Sequence, residues 1–553
     1  MLWPWLLLAA CAQLRGAGAA AILAKDPETV AANEEPRNAN HIFNAIHSSM
    51  RQWGSSLNHN GMSFFLAEVP AGTAFYHGTS DSQPIEGMEW LAFEPEHAFQ
   101  FAGRPGKPPG KPPRKPPSEG KAGKSCERSG GRHRNFAPPP GDRHHPQPAD
   151  GSPGQDRLMP DADRRPPPKG PGGSAPGYLH TYKTKTVLPL LYIDGMSAGK
   201  TDKGTLDSQD ILLLNAKNRS GSGDFFWEME RAERLCKMAT EKWDGKVKGF
   251  VRMETGFEII LCSFADNLDF VHAVRADKFA HNDSSPRHDA DHKQAAQRQE
   301  SSWIRAITAR YDRIGGQRVT LDYDNFVTAY SYDVDLFTHD DGLPRLENVS
   351  TAVLDKIRHD VDAMVTNWTP SPGQPTLSSS TDWQSIADMV VERYARELKY
   401  LVSDAFTTTK ELYDELRDFL RVFIDADARN TTAEAGRCAT QFIPSAGEHK
   451  ETVAAQSIHV ITTRICSTLF TALDAKASLS ESMESLKSLI EYLNWTEWKK
   501  CPTCPLGQIC FIPMWPFGAV EDREHPQCRK SNEVYDRHGY WGRGGPGHGP
   551  PPP

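Results

Sequence analysis

The sequence predicts an α+β protein whose N-terminal part is rich in strands and whose C-terminal half is mainly helical. Three segments before residue 265 are rich in β-branched and aromatic residues, which is typical of strands: AGTAFYHGTS at 71–80, GYLHTYKTKTVLPLLYI at 177–193 and GKVKGFVRMETGFEIILCSF at 245–264. Between them, PEHAFQFAG at 95–103 and DFFWEMERAERLCKMATEKW at 224–243 are typical of helices.

The C-terminal half carries apolar residues at helical spacing. In 383–402 these are Ile386, Met389, Val390, Tyr394, Leu398 and Leu401, and 479–495 repeats the pattern with Leu479, Met483, Leu486, Ile490 and Leu493. Such stripes are the faces with which amphipathic helices pack onto a core. The last block, from Cys501 to about Trp541, has four cysteines and little periodicity. We therefore expect a small cap there that is held by disulfides.

Composition divides the chain further. The stretch 103–176 is rich in Pro and Gly and cannot bury enough apolar surface to offset its ordering entropy, so disorder is predicted. It holds 15 Lys and Arg against 7 Asp and Glu, while the whole chain has a net charge of −8. This basic insert could contact anionic surfaces, although a solvated spacer is the simpler interpretation.

The predicted divisions are a signal peptide at 1–19, a β-rich α+β domain at 20–102 and 177–275, the insert at 103–176, a polar linker at 276–300, a mainly helical domain at 301–500, a Cys-rich cap at 501–541 and a disordered tail at 542–553.

The N-terminus predicts secretion. An apolar run from Leu2 to Leu14 is followed by small residues that suit signal cleavage. No later stretch approaches the roughly twenty apolar residues of a spanning helix, so no membrane span is expected. Six Asn-x-Ser/Thr acceptors agree with glycosylation in the secretory pathway: Asn218, Asn282, Asn348, Asn367, Asn430 and Asn494. Eight cysteines lie outside the signal and the insert, and in an oxidising compartment they predict four disulfides of unknown pairing.

The segment LLYIDGMSAGKTDKG at 190–204 superficially resembles a phosphate-binding loop. Only three residues separate Gly195 from Gly199, whereas such a loop needs four, and Asp202 stands where the anion would lie. A strand followed by a polar turn is therefore predicted. Any role of Lys200 or Asp207 is expected to be a contact with a substrate or a neighbouring loop.

Two further patterns favour structural roles. His288 and His292 are four residues apart, but Asp289 replaces the Glu that a zinc protease needs, and the surroundings are typical of a solvated loop. Cys501 and Cys504 have CxxC spacing, yet they follow a helix and stand near two more cysteines, so structural disulfides are favoured. We therefore predict no metal and no specific nucleic-acid partner.

Three segments have an order that carries a family resemblance. GTAFYHGTSDS at 72–82 places His77-Gly78-Thr79 at the end of a strand, EWLAFEPEHAFQFAG at 89–103 predicts a strand and a helix, and METGFEIILCSF at 253–264 places Glu258 at the start of an apolar strand. This order resembles the ADP-ribosyltransferase fold of the diphtheria-toxin and poly-ADP-ribose-polymerase kind. The resemblance covers roughly residues 68–265 and implies NAD as a substrate, with an acceptor that the sequence does not identify.

The resemblance implies roles for particular residues. His77 would bond the ribose, the Gly78 backbone would hold the nicotinamide amide, and Thr79 and Phe93 would complete the NAD-binding set. Glu258 would stabilise the positive charge that develops as nicotinamide departs, which requires only preorganised groups and one carboxylate.

The family pattern also leaves points open. Glu254 competes with Glu258 for the carboxylate role. The Tyr-containing second motif of the polymerases is absent, with Trp90 or Phe93 as the nearest aromatic residue.

Other stretches resemble uncharacterised secreted proteins of filamentous fungi: EWLAFEPEHA, LLYIDGMSAGKTDKGTLDSQD and CFIPMWPFGAVEDREHPQC. Two functional hypotheses follow. In the first, the domain is an ADP-ribosyltransferase, which requires His77 and Glu258 to converge in one pocket with an aromatic wall. In the second, the protein is a non-catalytic secreted binding or structural protein of the cell surface, which requires no such convergence.

Overall fold

The computed structural model describes residues 36–102, 177–216, 227–276, 303–308, 318–371, 374–377, 381–444, 451–473, 478–535 and 537–542. Several predictions fall outside these residues: the signal peptide, the Pro/Gly insert, the polar linker with His288 and His292 beyond residue 276, and the tail beyond residue 542.

Ten strands of the described chain form one sheet. Their bounds are β1 Ser63–Val69, β2 Ala74–Thr79, β3 Glu89–Ala92, β4 Gly177–Thr184, β5 Leu188–Ile193, β6 Gly249–Met253, β7 Phe257–Leu261, β8 Leu268–Ala276, β9 Thr320–Leu321 and β10 Val327–Thr328. The order across the sheet is β10-β1-β5-β6-β7-β3-β2-β4-β8, and β9 also pairs with β1. Every pairing is antiparallel except that of β5 with β6, which is parallel.

The central strands are buried over their whole length. This holds for β1, β5, β6 and β7, whose sequences SFFLAEV, LPLLYI, GFVRM and FEIIL are mostly apolar. Continuous apolar runs of this kind form strands that are covered on both faces. The few charged residues in these strands therefore stand in a dry interior.

The described helices are α1 Ala39–Ser48, α2 Gln52–Leu57, α3 Pro95–Phe99, α4 Glu228–Lys237, α5 Phe264–Asn267, α6 303–308, α7 Thr351–Asn367, α8 Trp383–Leu401, α9 Thr409–Leu420, α10 Thr431–Thr440, α11 Val453–Ala472, α12 Leu479–Leu493 and α13 Val520–Glu524, with a π-helical segment at Ser208–Leu213. The predicted α+β class, with the sheet formed mainly by the N-terminal half and a helical C-terminal part, is confirmed. Side-chain caps fix several starts, and Thr408 with Glu411 and Ser478 with Glu481 form capping boxes.

The predicted apolar stripe of α8 is buried except at one position. Ile386, Val390, Tyr394 and Leu398 are buried, but Met389 is 44% exposed because it lies at the edge of the stripe. Helix α1 packs against α8 and α11, so the N-terminal segment contacts the helical part directly.

Four disulfides join the eight cysteines, as predicted: Cys236–Cys262, Cys438–Cys466, Cys501–Cys510 and Cys504–Cys528. The last two hold the hairpin of β11 (Gln508–Phe511) and β12 (Gln527–Lys530). The two cysteines of the CxxC segment are bonded to this hairpin and not to each other.

The described residues can be compared with the predictions on membrane spans and glycosylation acceptors. Among the described helices, none combines the length and the apolar character needed to cross a bilayer. Four predicted glycosylation acceptors lie within the described residues, and all are exposed: Asn348, Asn367, Asn430 and Asn494. Secretion and glycosylation stay predictions.

Candidate functional site

The hairpin of β6 and β7 brings two buried charges together. Its register pairs Arg252 directly with Glu258, and both side chains are fully buried. Arg252 Nη2 lies 2.8 Å from Glu258 Oε1, but no hydrogen bond reaches either oxygen of Glu258 from the described residues. The hydrogen bonds that Arg252 donates go to Gln209 Oε1 at 2.8 Å and to Glu228. The guanidinium is thus shared among several acceptors, and Glu258 is weakly held.

The parallel strands β5 and β6 add a second pair. Because parallel strands end at the same edge of a sheet, the loop after β5 and the turn after β6 lie side by side. Lys200 in the first donates to Glu254 in the second, and its Nζ lies 3.8 Å from Glu228 Oε2. All three side chains are buried.

The crossover between β5 and β6 supplies the remaining charges. Arg231, in the first turn of α4, donates to both carboxylate oxygens of Asp210 at 2.9–3.2 Å and approaches Glu228 at 3.8 Å. We call the connected set the Glu258 cluster, and its members are Lys200, Asp210, Glu228, Arg231, Arg252, Glu254 and Glu258. Four carboxylates face three cations, so the cluster carries one excess negative charge when all members are ionised.

Glu258 is the carboxylate of the cluster that takes up a proton most readily. Burial raises the pKa of Glu258 to about 7, although Arg252 acts in the opposite direction. Burial alone would also raise the pKa of Glu228, but Arg252 and Lys200 lower it to about 2. For Lys200, burial would lower the pKa, yet Glu228 and Glu254 outweigh it and the pKa is raised. A proton on Glu258 near neutral pH makes the cluster neutral.

This raised pKa makes stability depend on pH. Below pH 4.5, the ordinary pKa of glutamate, Glu258 is protonated in both the folded and the unfolded chain, so it adds no pH dependence to the free energy of unfolding. Between pH 4.5 and 7 the folded protein binds more protons, so the free energy of unfolding falls as pH rises. Glu258→Gln removes this slope. We therefore expect urea denaturation to show the variant gaining stability relative to wild type between pH 5 and pH 8.

The same comparison has an internal control. Burial raises the pKa of Asp194 to about 7 as well, but its slope is common to both proteins and cancels in the difference. A difference in unfolding free energy that is equal at the two pH values would contradict the raised pKa of Glu258.

Two buried aromatic side chains lie beside Lys200 of the cluster, and a third packs against one of them. We call these three the aromatic cover: His97 of α3, Trp303 of α6 and Trp515 of the cap. Lys200 Nζ lies 5.4 Å from the centre of the Trp515 ring, and the Trp515 carbonyl accepts a hydrogen bond from Thr255. The rings of His97 and Trp303 are 5.9 Å apart. All three are buried, and so is every member of the cluster, which is therefore closed to solvent in this structure.

His97 is a neutral group beside the cluster. Burial, with a smaller contribution from Lys200, lowers its pKa to about 4. Its Nδ1 is buried and has no hydrogen-bond partner among the described residues. A Cβ at Gly256 would lie 2.9 Å from this Nδ1, so the ring faces the β6–β7 turn. A neutral imidazole of this kind can donate or accept one hydrogen bond.

The three segments of the family resemblance lie on adjacent strands, in the order β7-β3-β2. However, Glu258 pairs with Ala92, and Ala92 pairs with Tyr76. Directly opposed residues share a face and neighbours along a strand alternate, so His77 lies on the face opposite Glu258. His77 Nδ1 is 2.7 Å from the Trp90 carbonyl. The expected convergence of His77 and Glu258 in one pocket is not found in this structure.

The other residues of the implied NAD-binding set lie apart from the cluster. A Cβ at Gly78 would lie 1.9 Å from the Ala98 carbonyl, so α3 already covers this backbone on the face of Glu258. Thr79 accepts a hydrogen bond from the backbone of Asp81. Phe93 is buried, with its ring 5.0 Å from that of Phe75 on the opposite face.

Lys200, in the segment that resembles a phosphate loop, and Asp207, shortly after it, form contacts within the protein. Lys200 pairs with Glu254 of the neighbouring turn, as described, and Asp207 accepts hydrogen bonds from Arg345 at 3.0 Å and from the backbone N–H of Leu346 at 2.9 Å. Both side chains are therefore engaged within the protein, and Glu254 belongs to the same cluster as Glu258.

Sequence reasoning missed Arg252, Glu228 and His97. A signal for the first was present, since Arg252 stands in the strand GFVRM among apolar residues, six positions before Glu258. A charge inside an otherwise apolar strand requires a buried partner. Glu228 and His97 come from a crossover helix and a separate helix, and no local pattern connects them to the hairpin.

Comparison with known proteins locates this site in a shared segment. The family model described as "YPL277C N-terminal domain" matches residues 33–284, which include every member of the Glu258 cluster. Two Saccharomyces cerevisiae proteins, described as uncharacterized protein YPL277C and uncharacterized protein YOR389W, are each 34% identical to the chain over 239 residues. The match covers 42% of this chain, 42% of the first relative and 33% of the second.

The chain thus spans less than half the length of these relatives. Both are uncharacterised proteins of a fungus, which agrees with the resemblance of the sequence to uncharacterised fungal proteins. No solved structure matches the chain.

Proposed function

We propose that the β-rich domain is an NAD-dependent, ADP-ribosyltransferase-like enzyme domain in which Glu258 is the catalytic carboxylate. The observation that carries the proposal is the state of Glu258. It is fully buried, its oxygens accept no hydrogen bond from the described residues, and it is the fourth carboxylate of a cluster that holds three cations. Such perturbed carboxylates concentrate at functional sites.

The arrangement of the sheet gives further support. The segment around Glu258 is distant in sequence from those around His77 and at 89–103, yet the three occupy adjacent strands. The proposal departs from the sequence-based expectation at His77, which lies on the other face. His97, which lies beside the β6–β7 turn, takes its place, since its Nδ1 has no hydrogen-bond partner among the described residues and can bond a ribose hydroxyl.

The proposed reaction requires the protein mainly to supply charged groups in fixed positions. Glu258 in its ionised form stabilises the positive charge that develops on the ribose as the bond to nicotinamide breaks. Lys200 and Arg252 hold Glu254 and Glu228 in place and keep the cluster from repelling itself. Because every member of the cluster is buried, substrate entry requires a movement that exposes Glu258.

The test is release of nicotinamide from NAD by the full, disulfide-intact chain, followed by chromatography. Glu258→Gln keeps the size of the side chain and removes its charge, and we expect it to lower the rate at least about a hundredfold. Glu397→Gln is the matched control, because Glu397 is a partly buried glutamate of α8 outside the cluster. It is expected to leave the rate unchanged.

A third variant separates the structure-based site from the sequence-based one. His77→Ala should retain turnover, since His77 lies on the opposite face of the sheet. Loss of turnover in this variant at unchanged stability would restore His77 to the site. Absence of nicotinamide release from the wild-type chain, together with no NAD-dependent rise in melting temperature, would refute the enzyme proposal.

The alternative is a non-catalytic binding or structural protein, in which the Glu258 cluster only joins β5, β6, β7 and α4. The closure of the cluster favours it. This alternative predicts that Glu258→Gln changes stability and nothing else, and that NAD does not bind.

A further inference from the structure

The C-terminal cap brings four sulfur atoms together. Cys510 on β11 and Cys528 on β12 are directly opposed in the hairpin register. The CxxC segment immediately before the hairpin supplies Cys501, bonded to Cys510, and Cys504, bonded to Cys528. The Sγ atoms of Cys501, Cys504 and Cys528 all lie within 4.8 Å of one another, and the fourth is one bond from Cys501.

This geometry is close to that of a metal tetrathiolate. Zinc bound by four cysteines is tetrahedral with Zn–S bonds of about 2.3 Å, which sets the sulfurs roughly 3.8 Å apart. A CxxC pair combined with two cysteines from a hairpin is a common source of such ligands. The backbone N–H of Cys501 already lies 3.0 Å from Cys510 Sγ, as a hydrogen-bond donor that would steady a thiolate.

The surroundings also suit a metal that enters from solvent. All four cysteines are partly buried and none is fully enclosed. The Pro502 carbonyl lies 3.8 Å from both Cys504 Sγ and Cys528 Sγ, so the CxxC turn wraps this sulfur pair. Opening the two disulfides therefore leaves four ligands in place with little backbone movement.

We propose that Cys501, Cys504, Cys510 and Cys528 bind one zinc ion as a tetrathiolate when the two cap disulfides are reduced. Soft thiolate ligands in a tetrahedral set select zinc over harder cations. The cap then has two closed forms, a disulfide form in oxidising surroundings and a zinc form in reducing ones, where disulfides do not persist. In both forms the hairpin stays joined to the CxxC segment, which precedes Trp515 of the aromatic cover.

The interconversion balances with a phosphine as reductant. Each S–S bond accepts two electrons from phosphorus, the phosphine takes the oxygen of one water and becomes a phosphine oxide, and the two sulfurs take the two protons of that water. Binding of Zn²⁺ to the four thiols then releases four protons to buffer, because thiolates are the ligands.

The test titrates the full, phosphine-reduced chain with Co²⁺, whose tetrahedral thiolate complexes absorb strongly in the visible. We expect one equivalent of Co²⁺ to bind with a thiolate-to-cobalt spectrum, and one equivalent of Zn²⁺ to displace it. A variant with all four cap cysteines replaced by serine should lose the spectrum. The matched control, Cys236→Ser with Cys262→Ser, removes a different disulfide pair and should keep it.

A second measurement avoids dependence on the folding of the variants. Alkylation of the reduced wild-type chain with and without Zn²⁺, read by peptide mass spectrometry, should show protection of the four cap cysteines alone. No tetrahedral cobalt spectrum, or protection spread equally over the eight cysteines of the four disulfides, would overturn the proposal.

Discussion

Replacing Arg252 with Met is expected to destabilise the folded protein by about 3–5 kcal/mol. Arg252 is fully buried and pairs with both Glu228 and Glu258, so its removal leaves carboxylates in a dry interior without a counter-charge. Methionine retains much of the side-chain length, so the loss of charge dominates over the loss of packing. Denaturant unfolding at pH 7 measures the difference.

The matched control is Arg421→Met. Arg421 also pairs with a carboxylate, Asp418, but its side chain is 72% exposed. An exposed pair of this kind contributes about 0–1 kcal/mol. Equal effects of the two substitutions would show that the Glu258 cluster does not depend on its internal charge pairing.

Gly78→Ala is expected to cost about 1–3 kcal/mol through overpacking of β2 against α3. The added Cβ would lie 1.9 Å from the Ala98 carbonyl, and backbone on both sides must move to relieve the contact. Thermal and denaturant unfolding report the loss. Because α3 carries His97, the same substitution should also displace part of the aromatic cover.

Gly436→Ala provides the control for this change. Gly436 lies in α10, and a Cβ there meets no atom within 4 Å. Alanine has the higher helix propensity, so this substitution should stabilise the protein by up to about 1 kcal/mol. If both substitutions destabilised the protein, the cost of Gly78→Ala would be due to the loss of glycine's backbone freedom and not to overpacking against α3.

The secondary structure could be predicted because its signals are local. The alternating and continuous apolar runs at 71–80, 177–193 and 245–264 contain β2, β4, β5, β6 and β7, and the helical spacing at 383–402 contains α8. Each of these patterns depends only on neighbours within a few residues. Met389 illustrates the limit, since a residue at the margin of a stripe can face either way.

The site could not be predicted because it depends on the register between β2, β3 and β7 and on the crossover between β5 and β6. Which face His77 occupies follows from the pairing of Tyr76 with Ala92 and of Ala92 with Glu258. A shift of one residue would move His77 to the other face, and no local sequence signal fixes it. Lys200 and Glu228 join the cluster only because β5 and β6 are parallel neighbours.

The cysteine pairing shows the same limit. Eight cysteines allow 105 connectivities, and the sequence favours none of them. The structure joins cysteines that are close along the chain, with separations between 9 and 28 residues. Cys501 and Cys504 are nearer still, yet the hairpin places a different partner against each of them.

The pH profile of nicotinamide release tests most directly whether Glu258, with a pKa raised by burial, is the reactive carboxylate of the proposed enzyme. In the proposed enzyme ionised Glu258 is the active form, and burial raises its pKa to about 7, so the rate should rise with pH and reach half its maximum near pH 7. A midpoint near 4.5, the ordinary glutamate pKa, or no release at any pH, would contradict the account.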